Sequence, residues 1–428
     1  MSESIASTGR LRWFSEAPAS ARRALLAASL GWMLDSFDVM LYALVLSSLM
    51  KDLGIGKQQA GMLGSVTLIA GALGGIVFGY IADRFGRTKA LMGSVLLYAI
   101  FTAACGFAQT VPQLAVFRIL LGIGMGGEWA SGAALVSETW PAEHRGKALG
   151  IVQSSWAIGY ALAAVTAGIV LPWMGWRAVF FVGVLPAILA LLFRSKLGES
   201  KAWQQTKHEP PRKEQGAWNA LLGRRMLPLT CVLTGMNACT LFAWWGFNLW
   251  VPAFLSLPVK DGGVGLTTQA MAGLIVTMQA GMWFGYVSFG FLSDRFGRKP
   301  CYVVYLIMAT ITLFFYGHTR NPVLLLCLGP MLAFWGTGYF SGFATVTAEL
   351  YETRIRATAQ GLTYNAGRIV SALAPFVVGD VARKHGFAAA FDIAAGAFLL
   401  AALFWIWIPE TKQRVNYSNS ASGLRDSI

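Results

Sequence analysis

Charge is scarce in this chain. Asp, Glu, Lys and Arg make up only 13 % of it, against 56 % hydrophobic residues, where a soluble domain usually carries about 25 % charged residues. A large soluble helical protein would need polar faces at helical period in most segments, and these are missing. Histidine is rarer still: His144, His208, His318 and His385 lie in or near polar stretches without forming a cluster, so no metal site is expected. The five cysteines, Cys105, Cys231, Cys239, Cys301 and Cys327, fall within or at the ends of apolar runs. Their spacing suits neither a disulfide framework nor a zinc site. No Gly-x-x-x-x-Gly-Lys-Ser/Thr phosphate loop occurs, which argues against ATP as a driver. Enzyme motifs are absent too, so neither catalysis nor a cofactor is expected.

What the chain has is long apolar runs. Twelve can be read, at about 24–50, 60–82, 90–110, 112–137, 147–171, 174–193, 226–257, 268–292, 300–318, 322–348, 357–382 and 387–408. Each approaches the ~20 residues a helix needs to cross ~30 Å of hydrocarbon. The first 23 residues are basic and polar with no cleavable apolar core, so the first run is expected to be retained.

The net charge of +14 could suggest nucleic acid, but its placement points elsewhere. With twelve spans and the N-terminus inside, one side collects Arg10, Arg12, Arg22 and Arg23, the Arg84/Arg87/Lys89, Arg145/Lys147, Arg295/Arg298/Lys299 and Arg354/Arg356 loops, the 194–225 stretch, and Lys412, Arg414 and Arg425. The other side holds only Lys51, Lys57, Arg177, Lys260, Arg320, Arg383 and Lys384. Lys and Arg in short loops resist translocation, so both termini are predicted to be cytoplasmic, in an inner-membrane protein with no nucleic-acid partner.

One charged motif occurs twice. Gly79-Tyr80-Ile81-Ala82-Asp83-Arg84-Phe85-Gly86-Arg87 is echoed by Gly290-Phe291-Leu292-Ser293-Asp294-Arg295-Phe296-Gly297-Arg298 at an offset of 211 residues. The same offset carries Glu138 onto Glu349, Arg145 onto Arg356 and Glu199 onto Glu410. This is the mark of a duplication: a bundle at 1–193, a polar linker at 194–225 with its Pro210-Pro211 pair, and a second bundle with a tail at 226–428. Gly75 and Gly79 would clear a small-residue face for a neighbouring helix. A carboxylate at that edge can bond facing helix ends in one conformation and release them in another. A single Asp-Arg-x-Gly-Arg could be only a tight basic turn; two copies at matched offset favour a gate made of these residues.

These residues also carry a resemblance. The paired Gly-x-x-x-Asp-Arg-x-Gly-Arg loops, Arg118-Ile-Leu-Leu-Gly122-Ile-Gly124-Met-Gly126-Gly127-Glu128, Glu138-x-x-Pro141-x-x-x-Arg145-Gly146 and Pro409-Glu410-Thr411 resemble the major facilitator superfamily along nearly the whole chain. Within it, Leu34-Asp35-Ser36-Phe37-Asp38, Gly126-Gly127-Glu128-Trp129, Trp140-Pro141 and Trp176-Arg177 resemble the sialate:proton symporters and related carboxylate permeases. Aromatic acid:proton and metabolite:proton symporters share parts of this pattern. The sialic acid permeases are longer, with extra central spans that this chain lacks, which leaves lactate-like acids open. The resemblance implies the major facilitator fold, with two six-helix bundles rocking around a midplane site.

Ionisable groups inside apolar spans are costly, about 2.5–3.5 kcal/mol each at the bilayer centre, and so are functional candidates. Asp35 and Asp38 lie three apart on one helix face. Two carboxylates that close disfavour double ionisation, so one is expected to hold an exchangeable proton near neutral pH; the alternative is a plain bond to a neighbouring helix. Arg118 could pair with one of these Asp residues. Glu128, about 15 Å further along the same helix, is either a second proton site or an interhelical latch. Arg368, beside Tyr364 and Asn365, has no counterpart in the first half, where the offset leads to Ala157. A guanidinium forks onto carboxylate oxygens, so Arg368 is a candidate substrate anchor, unless Glu349 or Asp380 holds it. Asn248 and Gln279 are weaker binding candidates. Trp244, Trp245 and Trp335 read as packing.

The sequence therefore predicts an all-α membrane protein of twelve helices that imports a monocarboxylate or related organic acid with protons. It would work as a monomer in the bilayer by alternating access. The rivals are an aromatic-acid or other metabolite symporter, a drug or sugar efflux antiporter, and a membrane sensor of the same fold. Asp35 aligns with Gly246, Arg118 with Gly329 and Arg368 with Ala157, so the chemistry is expected where the repeat fails.

Overall fold

A computed structural model describes residues 12–141, 144–194, 220–221, 223–352 and 355–411; the greater part of the 194–225 linker, and the tail, lie outside the described residues. The described chain is helical throughout, with no strand. That is the expected answer to hydrocarbon, which supplies no partner for a backbone amide and so favours a structure that bonds its own. The helices are α1 (Ala19–Leu53), α2 (Lys57–Phe85), α3 (Arg87–Phe107), α4 (Val111–Thr139), α5 (Arg145–Arg194), α6 (Leu227–Ser256), α7 (Thr268–Phe296), α8 (Arg298–His318), α9 (Pro322–Thr337), α10 (Phe343–Leu350), α11 (Arg356–Ser371) and α12 (Ala374–Phe404). Among the described residues nine helices are long and apolar enough to cross a membrane, and Val111–Gly127 is a shorter apolar helix.

The apolar runs and the helices do not correspond one to one. Runs 147–171 and 174–193 are continuous in α5 but change direction at Gly175 (φ 75°, ψ 176°). Runs 357–382 and 387–408 meet inside α12 at Gly386 (φ 85°, ψ 170°). Left-handed φ costs a residue with a Cβ and costs glycine little, so each glycine reverses the chain where no loop is present. These two glycines are themselves 211 residues apart.

Close packing repeats at the same offset. A Cβ on Gly74 of α2 would stand 2.0 Å from the Ile123 carbonyl oxygen of α4, and one on Gly285 of α7 would stand 2.5 Å from that of Phe334 of α9. Both glycines let two helix backbones touch. Gly86 and Gly297, at φ 117° and 105°, make the turns into α3 and α8. Gly75 also meets a backbone, the Gly126 carbonyl, but Gly79 and Gly290 face open space. Close approach is therefore not what Gly79 or Gly290 provides. Apolar side chains such as Ile76 and Phe291 stand exposed on the perimeter, as lipid-facing residues do.

Candidate functional site

A cavity of ≈ 40 Å³ lies between the helices before residue 194 and those after 220, room for a few waters. From the first group come Trp32 and Asp35 of α1, Met125 of α4, and Gln153 and Trp156 of α5. From the second come Leu241, Trp244 and Trp245 of α6, Tyr286 of α7, Phe340, and Tyr364 and Arg368 of α11. Helical spacing explains the pairs: residues three or four apart share a face, as do Trp32 and Asp35, Gln153 and Trp156, and Tyr364 and Arg368. Gln153 and Tyr286 face each other across the two groups.

Arg368 is held by neither of the acids expected to compete for it. Glu349 pairs with Arg298 at 3.1 Å, and Asp380 pairs with Arg383 at 2.9 Å and Lys384 at 2.6 Å. Its guanidinium crosses to the other group, where a Cβ on Gly71 of α2 would stand 3.3 Å from its Nη2. Tyr364 lines the cavity one turn earlier. Asn365 points elsewhere: it is exposed, and its Nδ2 donates to the Gly361 carbonyl at 2.9 Å. Asn248 is buried away from the cavity wall, its Nδ2 donating to Trp244 O at 3.1 Å while its own carbonyl accepts from Tyr160 at 3.4 Å. Gln279 is also buried; its Nε2 donates to Ile275 O at 3.3 Å, and its Oε1 has no hydrogen-bond partner.

The two acids of α1 diverge. Asp35 lines the cavity, whereas Asp38 turns into the first group, where a Cβ on Gly183 of α5 would stand 3.4 Å from its Oδ1. Sharing a face to within one turn does not place both groups in one compartment. Arg118 is buried as well, and its guanidinium lies 4.0 Å over the Tyr42 ring. Its Nε and Nη1 make no hydrogen bond. The partner for Arg118 in α1 is thus a ring face, a cation–π contact, where an Asp was expected. The side chain of Glu128 lies outside the described residues, as do those of Asp83, Arg87, Glu138 and Arg145.

The second charged loop is a network. Arg298 bonds Asp294, Ser293 Oγ at 2.9 Å and Glu349. Glu410 accepts from the Arg298 and Lys299 amides at 3.0 and 2.9 Å, capping the start of α8 with a carboxylate. Thr411 completes the set by donating to Glu349. In the first loop Arg84 donates to Tyr80 Oη at 2.9 Å. Arg295 lies 5.3 Å over the Phe296 ring, and the Nε of Arg356 is buried without a hydrogen bond.

The far end of the bundle carries ties that sequence reasoning did not single out. Lys57 of α2 donates to the Asp261 carbonyl at 2.7 Å and the Ala382 carbonyl at 3.4 Å, and lies 4.7 Å over the Phe387 ring. Ser47 and Ser256 bond at 2.6 Å, and Ser65 accepts from the Phe376 amide at 3.1 Å. A Cβ on Gly61 would stand 2.3 Å from the Pro375 carbonyl oxygen. All of these join the first group to the second. Trp32, Gln153 and Trp156 were also missed, because apolar and aromatic spacing in a span looks the same whether it faces lipid, a neighbour or a cavity.

Comparison with known proteins agrees with this architecture. A sialic acid transporter of Escherichia coli, NanX, is 30% identical over 389 residues, covering 90% of this chain and 93% of its own. A probable 4-methylmuconolactone transporter of Cupriavidus pinatubonensis is 32% identical, covering 94% of this chain and 93% of its own. The xylose transporter XylE from E. coli, in a partially occluded inward open conformation, superposes with a TM-score of 0.74 at 20% identity, covering 92% of this chain and 99% of that one, which is a likeness of fold. The family model of the Major Facilitator Superfamily matches residues 28–268 and 261–424. The chain belongs to the Major Facilitator Superfamily: it is a multi-pass transporter of the inner membrane that carries a small organic molecule.

Proposed function

We propose that this transporter imports an organic acid together with protons, by alternating access of two six-helix bundles, 1–193 and 226–428, joined by a cytoplasmic linker at 194–225. The nine long apolar spans and Val111–Gly127 make ten, and dividing two of them at Gly175 and Gly386 supports twelve; the placement of Lys and Arg supports cytoplasmic termini. The observation that carries the reading is a guanidinium, Arg368, in a cavity between the two groups that also holds a carboxylate, Asp35. A cation at that depth suits an anionic cargo, and a nearby acid suits a proton that moves with it. The sialic acid named for one relative agrees with an organic acid. The ties at the end away from the charged loops support a state closed to the outside. Asp38 and Glu128 are the further proton candidates, and the protein works as a monomer.

Proteoliposomes test this directly. An inward proton gradient should drive accumulation of labelled organic acid, and Arg368→Ala should lower uptake by about 100-fold, as expected for losing a charged hydrogen-bonded anchor worth ~3 kcal/mol. Arg368→Lys should recover part of it. Asp35→Asn should abolish accumulation while sparing exchange. Accumulation that ignores the gradient, or uptake unchanged in Arg368→Ala, sinks the proposal.

A further inference from the structure

The cavity wall narrows the class of acid, an inference that rests on the organic-acid reading above. The wall is largely aromatic, and its rings come from both groups. Trp32 and Trp156 lie with centroids 4.8 Å apart at 50°, Trp156 and Trp245 at 6.1 Å and 86°, and Trp244 and Phe340 at 6.1 Å and 70°. Such a set presents ring faces and edges at several angles, the surroundings in which a flat π-system packs offset or edge-on. The cavity is small, ≈ 40 Å³, so a single-ring molecule enters with less displacement than a bulky one.

The polar inventory points the same way. Every hydroxyl of a polyol acid that faced a ring would give up its bonds to water without replacement. A small aliphatic hydroxy acid would leave most of the ring surface uncovered. Trp156 adds a specific demand. It lines the cavity, is only 5 % exposed, and its Nε1 donates to no acceptor. A buried N–H of that kind gains from a ligand that brings an acceptor.

We propose that the site selects a planar, conjugated monocarboxylate of single-ring size. Its carboxylate sits on Arg368, its ring lies among the tryptophans, and an acceptor borne by the ring, a hydroxyl oxygen or ring nitrogen, meets Trp156 Nε1. This differs from a sialate or lactate carrier in the shape of the cargo, while the anion anchor is common to all three.

The test is competition in proteoliposomes. Uptake of labelled benzoate under an inward proton gradient is challenged with nicotinate, cyclohexanecarboxylate, lactate and N-acetylneuraminate. Cyclohexanecarboxylate has the charge and approximate size of benzoate but no π face, so it should compete about 10-fold more weakly. Trp156→Phe keeps the ring and removes the N–H. It should weaken nicotinate about 5-fold more than it weakens benzoate, which loses only ring contact. Equal competition by cyclohexanecarboxylate, or stronger competition by lactate or N-acetylneuraminate, overturns the planar class and leaves the organic-acid reading standing. Uptake of none of these carboxylates overturns both.

Discussion

The two ends of the bundle are held together in different ways. At the charged end, the Arg298 network ties α7, α8, α10 and the segment after α12 to one another, all within the second group. At the far end, Lys57, Ser47 and Ser65 tie the first group to the second. The bonds across groups come from the Lys57 ammonium and from single hydroxyls, each worth about 1–2 kcal/mol net. Inside a group, glycines such as Gly74, Gly126 and Gly285 press backbone on backbone, a contact that Gly61 makes across the groups against Pro375. On the alternating-access proposal, the ties across the groups are the ones that break on every cycle, and the contacts inside a group are the ones that persist.

Substitutions can sharpen that contrast. The largest effect is expected at Gly126, inside the first group, where a Cβ would stand 2.0 Å from Gly71 O and 2.3 Å from Gly75 N. Neither backbone can yield, so Gly126→Val should cost ~3 kcal/mol or more, visible as loss of monodisperse protein and a lower unfolding temperature in detergent. Wild-type stability in this variant would mean that α2 and α4 are not a fixed pair.

Gly61→Val places a comparable clash, 2.3 Å from Pro375 O, across the two groups. Here the groups can part, so folding should survive while uptake falls about 10-fold or more, as expected when a ~1–3 kcal/mol overpacking cost falls on one state of the cycle. A cysteine replacing Ser65 would report the opening through faster labelling by a membrane-impermeant thiol reagent. If Gly61→Val unfolds the protein as Gly126→Val does, the distinction between the two contacts fails.

The smallest effect belongs to Lys57→Met, which removes two bonds to carbonyls. The far end should open about 5-fold more often, the equivalent of ~1 kcal/mol, read by the same labelling rate. An unchanged rate would show that Lys57 is not a latch.

Much of the scaffold could be read from the sequence, because charged residues among apolar ones are conspicuous and a constant offset between them needs no alignment. The same offset reappears in the structure at Gly74 and Gly285 and at Gly175 and Gly386. Those echoes were not visible beforehand, because the partners are main-chain atoms of Ile123 and Phe334, which carry no side-chain signal. The lining of the candidate cavity was half legible. Arg368, Tyr364 and Asp35 meet in one cavity, and each was conspicuous as a polar or charged group in an apolar span. Trp244 and Trp245 read as packing and turned out to be wall. Asp38 and Asn365 share the local sequence of true lining residues and face other ways, a difference set by neighbouring helices rather than by spacing. Lys57 was counted only as a loop charge that sets orientation.

Arg368 is rooted in one group of helices while its tip rests beside Gly71 of the other. On the proposed alternating access, that side chain cannot keep both addresses, and it would work as a gauge laid across the moving joint. An anion seated on it would alter the reading, and the angle between the groups would alter the grip. Cargo and hinge then become one variable, and a single methyl added at Gly71 should reset its zero.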